Sequence, residues 1–396
     1  MKFLLIYVPN LRFNGYTENW QKYRTIELGK MQRGKSKHRP RDDEKLYGGT
    51  YPFIQTGDIK KANLYIREYE RTYSNYGLSQ SKLWSKGTLC ITIAANIAET
   101  AILGLNACFP DSVIGWISND KITNNIFIKY YFDFYKTQLK RLSVGGAQEN
   151  LNLDKLENVY FNIPTLSEQN DITNLLTKID ELIDTQSKII SDYTFLLNLL
   201  RDKLLYDKNH KKIKLSTLIS IYNGYAFKSN NYKANAKYKI ITIGNVTGDR
   251  YINLDSINTI DKLPSDIQQH QIIKNGGILV SLTGNVGRTS ICNEDDCLLN
   301  QRVALVKSKN INEKFIYHIL SSSRFLNKMI SSSQGAAQKN ISTKDILNYE
   351  ITLLSKERME YVTLLLEKIE NKINYEKNIL EHLYTQKQYL LKNMFI

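Results

Sequence analysis

The feature that most limits what this chain can become is an internal repeat: its second half restates its first at an offset of about 190 residues. Gly34 falls on Gly224, Gln148 on Gln338, Asn150 on Asn340, and Lys178-Ile179-Asp180 on Lys368-Ile369-Glu370. The first copy closes near Tyr206 and the second runs to Ile396. A duplicated stretch of this length folds into two similar bodies, each large enough to bury a core of its own.

Each copy ends in a segment with helical period. Ile172, Leu175, Leu176, Ile179, Leu182, Ile183, Ile189, Ile190, Tyr193, Leu196, Leu197, Leu200 and Leu204 recur at spacings of three and four, as do Val362, Leu365, Leu366, Ile369, Ile373, Ile379, Leu380, Leu383, Leu390 and Leu391. Lys, Glu, Asp, Asn and Gln fill the intervals and neither stretch holds Gly or Pro, which predicts two long helices with a coiled-coil-like seam, packed on each other. At 1.5 Å per residue each spans about 60 Å.

The regions before the helices, roughly 20–160 and 210–350, read as α+β. Short β-rich runs such as Leu89-Cys90-Ile91-Thr92-Ile93 and Ile278-Leu279-Val280-Ser281-Leu282 alternate with Gly/Asn turns, and helical patches fall near 125–140 and 311–329. The repeat extends through them. Ala95-Asn96-Ile97-Ala98-Glu99-Thr100 matches Gly284-Asn285-Val286-Gly287-Arg288-Thr289, and Ile54 to Ile59 matches Ile241 to Val246. Apolar positions match while polar ones diverge, as at Lys35/Tyr225, Glu99/Arg288 and Asp58/Asn245. One scaffold displaying two different reading surfaces would show this pattern.

What the surfaces read follows from charge. The 54 Lys+Arg against 39 Asp+Glu leave +15, an excess that suits a polyanion. Cys90, Cys108, Cys292 and Cys297 form no metal spacing and read as reduced, mostly buried residues of a cytoplasmic protein. The five histidines are scattered, without a paired ligand set. Phe3–Val8 is too short for a signal peptide, and no transmembrane run occurs.

Catalytic patterns are missing. Gly29-Lys30-Met31-Gln32-Arg33-Gly34-Lys35-Ser36 matches the phosphate loop GxxxxGK[ST], but a polar stretch broken by Pro40 follows it instead of an apolar helix, and the second copy keeps only Gly224. The same segment suits DNA phosphates better, since Lys30, Arg33, Lys35, Lys37, Arg39 and Arg41 place six cations in twelve residues. Asn96, Asn285 and Arg288 sit at the turn of a hairpin-like segment and are further DNA-contact candidates, with Lys228 and Asn245 in the second copy. Gly145–Asn150 and Gly335–Asn340 repeat a G-x-A-Q-x-N motif, so Gln148 and Gln338 either bond bases or phosphates or simply lie in a turn leading to the helix.

With these features the chain resembles the specificity subunit of type I restriction–modification systems. The resemblance is carried by Val8-Pro9-Asn10-Leu11-Arg12-Phe13 with Trp20 and Leu28, by both G-x-A-Q-x-N segments, by Ile163-Pro164-Thr165-Leu166-Ser167-Glu168-Gln169, and by Asn300-Gln301-Arg302-Val303-Ala304. In the second copy Leu353-Leu354-Ser355 lacks the proline, and in the first Asp111-Ser112-Val113-Ile114-Gly115 replaces the NQR segment.

The resemblance implies two pseudo-symmetric α/β target recognition domains, 1–165 and 208–354, separated by two long antiparallel coiled-coil helices, 166–207 and 355–396. It implies a non-catalytic protein that reads a bipartite, asymmetric target on double-stranded DNA. It also implies docking of two modification (methyltransferase) subunits and of restriction (motor-nuclease) subunits, with S-adenosylmethionine, ATP and Mg2+ held by those partners. Two other readings are a basic architectural protein without sequence preference and a self-contained nuclease or NTPase.

Overall fold

The computed structural model describes residues 8–143, 151–206, 211–333 and 340–396. They form two compact units, Met1–Lys188 with Asn378–Ile396 and Ile189–Lys377.

The first unit is built on a five-stranded sheet in the order Gly29–Arg33, Val113–Ser118, Leu89–Thr92, Thr100–Leu103, Tyr65–Ile66, parallel only at its last pairing. Residues of the central strand alternate between two cores. Leu89 and Ile91 pack with Phe127, Ile128 and Phe132 of the helix Asn125–Ser143, while Cys90 packs with Trp84 and Phe109 behind the sheet. Burial on both faces explains why this strand is a continuous apolar run. A second sheet (Arg71–Tyr73, Tyr47–Phe53, Ala107–Cys108, Leu83–Trp84) stands beside it, and a ribbon pairs Gln21–Arg24 with Tyr160–Ile163.

The second unit repeats this order. Ile219–Asn223, Val303–Ser308, Ile278–Ser281 and Thr289–Ile291 form its main sheet, and the fifth strand shrinks to one parallel bridge, Tyr251 to Ile291. Asn258–Ile260, Tyr238–Ile241, Cys297–Leu299 and Ile272–Ile273 form the companion sheet, and Lys212–Lys214 pairs with Glu350–Thr352. The helix over the sheet is split into Glu313–Leu320 and Ser323–Ser332, because the Ser322 hydroxyl accepts from Phe325 N and starts a new helix. All four cysteines are buried free thiols.

The long helices are Leu166–Leu204 and Lys356–Met394, 39 residues each and again 190 positions apart. Each contributes to both units. Ile172 and Leu176 of the first join Leu391 and Met394 of the second, with Phe395 just beyond it, in the first unit's core, whereas Leu197 joins Val362, Leu366 and Ile373 in the other. Within each unit the helices run antiparallel: in the second, Arg201 meets Glu370 while Thr194 shares a cleft with Lys377. Leu182 and Leu196, seam positions by spacing, face solvent instead. Their neighbours Ile183 and Leu197 are the buried residues, and successive side chains point about 100° apart.

A buried polar junction fastens each globular region to its helices. In the first unit Lys387 Nζ lies 2.6 Å from Asp180 Oδ1, Tyr130 Oη donates to Asp180 Oδ2 at 2.7 Å, and Asn63 Nδ2 donates to Asp180 O at 3.2 Å. In the second, Glu370 takes the place of Asp180 and Arg250 that of Asn63. Arg201 Nη2 lies 3.0 Å from Glu370 Oε1, Tyr317 Oη donates to the same oxygen at 2.9 Å, and Arg250 bridges Glu370 (2.5 Å) and Glu367 (2.9 Å). His318, Glu367 and Glu370 bring ligand atoms within 4.8 Å of one another, as a metal site would. The carboxylates are already held by Arg201, Arg250 and Lys314, so the cluster is an ion-pair network.

Candidate nucleic-acid interface

Register brings the basic loop and the Asn96 turn to one end of the main sheet in the first unit, and the Asn285 turn to the matching end in the second. In the first, Arg33 lies opposite Ile114 and Thr92 opposite Val113, so the loops beyond them share that end. Gly34 N donates to Val113 O at 2.8 Å, Lys35 N to Phe109 O at 3.2 Å and Ile93 N to Ser112 O at 3.0 Å. Arg33, Lys35, Lys37, Arg39 and Arg41 are exposed there, and Asn96 is half-buried in the turn that follows Thr92. In the second unit, Asn223 lies opposite Ala304 and Ser281 opposite Val303. Beyond them come Tyr225, exposed Gln301 and Arg302, exposed Asn285, and Asn340 bridged to Thr283.

Close packing fixes both loops. A Cβ on Gly34 would sit 2.3 Å from Pro110 O, and one on Gly224 would sit 2.2 Å from Asn300 O, so a side chain at either place would meet backbone. The turns over Asn96 and Asn285 are equivalent too. Ala95 and Ala98 adopt φ of 60° and 62°, and Gly284 and Gly287 adopt 69° and 77°. The Thr92 and Ser281 hydroxyls each donate to the carbonyl four residues on.

The segment matching a phosphate loop is an edge strand over Gly29–Arg33, paired with Val113–Ser118, and only the short helix Glu44–Leu46 follows. It makes no nest for a nucleotide. In the basic loop, His38 Nε2 lies 2.8 Å from Asp43 Oδ2, Arg39 Nη1 donates to Ser36 O (2.7 Å) and His38 O (2.8 Å), and Arg41 Nη2 contacts both oxygens of Asp111 (2.9 and 2.8 Å). Beside it opens a cleft of about 300 Å³ lined by Arg41, Tyr47, Phe53, Arg71 and Tyr73, with Arg71 5.0 Å over the Tyr47 ring and Phe53 stacked on Tyr73 at 4.1 Å. Burial pushes the Tyr73 phenol up to about 12. In the second unit the loop after Gly224 borders a cleft of about 540 Å³ lined by Tyr225, Phe227, Lys228, Lys233 and Lys262. Cations around aromatic faces suit a nucleic-acid strand.

Three expectations need correction. Asn245 is buried: its Oδ1 accepts from Thr242 N and Oγ1, both at 2.9 Å, and its Nδ2 donates to Asn253 O at 2.8 Å. Asp58 does the same work in the other copy, accepting from Gln55 N at 2.8 Å, so Asp58/Asn245 is not a difference between reading surfaces. Glu99 is held by Lys136 at 2.6 Å, so on the first-copy side of the Glu99/Arg288 pair the acid also serves the fold. Gln148 and Gln338, with most of both G-x-A-Q-x-N motifs, lie outside the described residues. Sequence reasoning passed over Asp111, Arg302, Arg71, Lys233 and Lys262. The first two could have been found, because the repeat aligns Asp111-Ser112 with Gln301-Arg302 just before matching strands.

The comparisons with known proteins join this geometry to a family. Residues 17–192 and 207–385 each match the type I restriction modification DNA specificity domain. The chain belongs to that family. It is therefore a type I restriction–modification specificity subunit, and both repeats carry the specificity domain. The specificity subunit of the type I restriction enzyme MjaVIII from Methanocaldococcus jannaschii is 23% identical across 94% of this chain and 91% of its own length. A putative type I specificity subunit from Haemophilus influenzae is 31% identical, over 41% of each chain. Among solved structures, the S subunit from M. genitalium superposes over 98% of this chain and 99% of its own with a TM-score of 0.58 at 16% identity. A structure of a type I restriction–modification assembly gives 0.54 at 14% identity over 95% and 97% of the two chains. At those identities the likeness is one of fold.

Two family markers now have physical roles. Arg12 Nε and Nη2 grip Glu168 at 2.7 and 2.8 Å, with Trp20 Nε1 3.3 Å from the same carboxylate. Gln169 is buried, accepting from Thr123 Oγ1 and donating to Ile122 O and Pro164 O. The first set ties the start of the specificity subunit to the first long helix, and the second ties that helix to the turn before the helix Asn125–Ser143. Among the described residues no helix is long and apolar enough to cross a membrane.

Proposed function

We propose that this specificity subunit is the non-catalytic DNA reader of its restriction–modification complex, each unit taking one half of a bipartite, asymmetric target. The observation that carries this is the pair of sheet ends: equivalent in backbone and different in the polar residues offered at matched places, Asp111-Ser112 against Gln301-Arg302. The long helices would set the distance between half-sites and dock two methyltransferase subunits. Phe195, Leu199, Tyr361 and Leu364 in the second unit and Tyr384 and Tyr389 in the first are large apolar side chains exposed on these helices, which supports a role in docking. S-adenosylmethionine would then reside on those methyltransferases, with ATP and Mg2+ on the restriction subunits. A footprint of the chain with its methyltransferase partner is expected to show two protected patches at fixed spacing. Uniform protection of random DNA would instead establish an architectural protein without sequence preference.

A further inference from the structure

We propose that the Arg41–Asp111 pair reads a single G·C base pair in the half-site taken by the first unit, an inference that rests on the sheet end being the DNA-facing surface. Asp111 is 38% exposed and lies beside two cations of the basic loop, Arg41 and Arg39. Phosphates repel a carboxylate, so on a DNA-facing surface a guanidinium–carboxylate pair is better placed against base edges than against the backbone. Arg41 meets Asp111 through Nη2 alone, at 2.9 and 2.8 Å, and is itself 51% exposed. Tyr47 Oη donates to Arg41 O at 2.6 Å and fixes the backbone beneath it. Arg39 is not an alternative, because its Nη1 is spent on Ser36 O and His38 O, and its Nη2 is 3.9 Å from Asp111. Among the described residues no hydrogen bond engages Arg41 Nε or Nη1.

The pair therefore offers donors beside an acceptor. In the major groove a G·C pair offers the reverse, two acceptors on guanine (N7 and O6) beside the N4 amino donor of cytosine. An A·T pair would set the adenine N6 amino group against the guanidinium and thymine O4 against the carboxylate, so the wrong pair is rejected by like facing like. Gln301 stands at the place of Asp111 in the second unit, so the second half-site does not inherit this requirement.

The test is selection from randomised duplexes by the full chain assembled with its methyltransferase partners. The wild type is expected to return a fixed G·C at one position of one half-site. Arg41→Ala should lower discrimination at that position by about tenfold or more, and Asp111→Asn should weaken the same position. Unchanged selection at the remaining positions of the same half-site shows that the first unit of each variant is folded. The proposal is overturned if Arg41→Ala weakens all sequences equally with a shallower salt dependence, since that marks a phosphate contact, or if the G·C preference survives it. A wild type with no preference in either half overturns the underlying reading as well.

Discussion

Asn245→Ala removes three hydrogen bonds from a buried turn and leaves Asn253 O and Thr242 N without partners. The expected cost is about 2–3 kcal/mol, seen as a lower denaturation midpoint for the second unit, while the folded protein selects the same DNA. Lys35→Ala should do the opposite. Stability stays within about 0.5 kcal/mol, and the slope of log K against log salt becomes shallower by about 0.9. The contrast shows what residue-scale reading could and could not resolve. An asparagine that caps a turn and one that reads a base are the same residue type in the same polar setting, and only burial separates them. The lysines and arginines of the basic loop were legible because exposed cations need no tertiary information. The repeat marks the position of Asp111, but its pairing with Arg41, 70 positions away, needed the fold.

Elements were the most legible scale. Uninterrupted helical period marked both long helices to within a few residues of Leu166–Leu204 and Lys356–Met394, and two-sided burial made the central strands unmistakable. The junctions that hold these elements together were hidden, because their members lie far apart in sequence. The second one carries a pH dependence. His318 is enclosed by Arg201, Lys314, Glu367 and Glu370, with Tyr317 and Arg250 alongside, and burial pushes its pKa below the ordinary 6.5. Above pH 6.5 the ring is neutral folded or unfolded, so it adds no pH dependence. Below it the unfolded chain takes up a proton that the folded one refuses, and stability falls. The second unit's unfolding midpoint should therefore drop as the pH goes from about 6.5 to 5, and His318→Gln should flatten that slope. Burial pushes the Glu367 carboxyl up, but hydrogen bonds from His318, Arg250 and Lys314 outweigh it and hold the group below the usual range. Its contribution is lost separately, under pH 4.5.

For the whole molecule, the net +15 implies DNA affinity that falls steeply with salt, by about a thousandfold or more between 50 and 200 mM if six or more phosphates are engaged. A titration at several salt concentrations checks this, and a flat response would remove the electrostatic role of the basic loops. The duplication was visible at this scale, with the first copy closing near Tyr206, and the compact units add that each long helix is shared between them. That sharing imposes an order on biosynthesis. Trp20, Phe127 and Tyr131 pack against Phe395, so the globule that leaves the ribosome first carries an aromatic floor with no cover until the other has been made. Its completion waits on residues some 375 positions downstream of Trp20, a delay during which that apolar floor is open to aggregation.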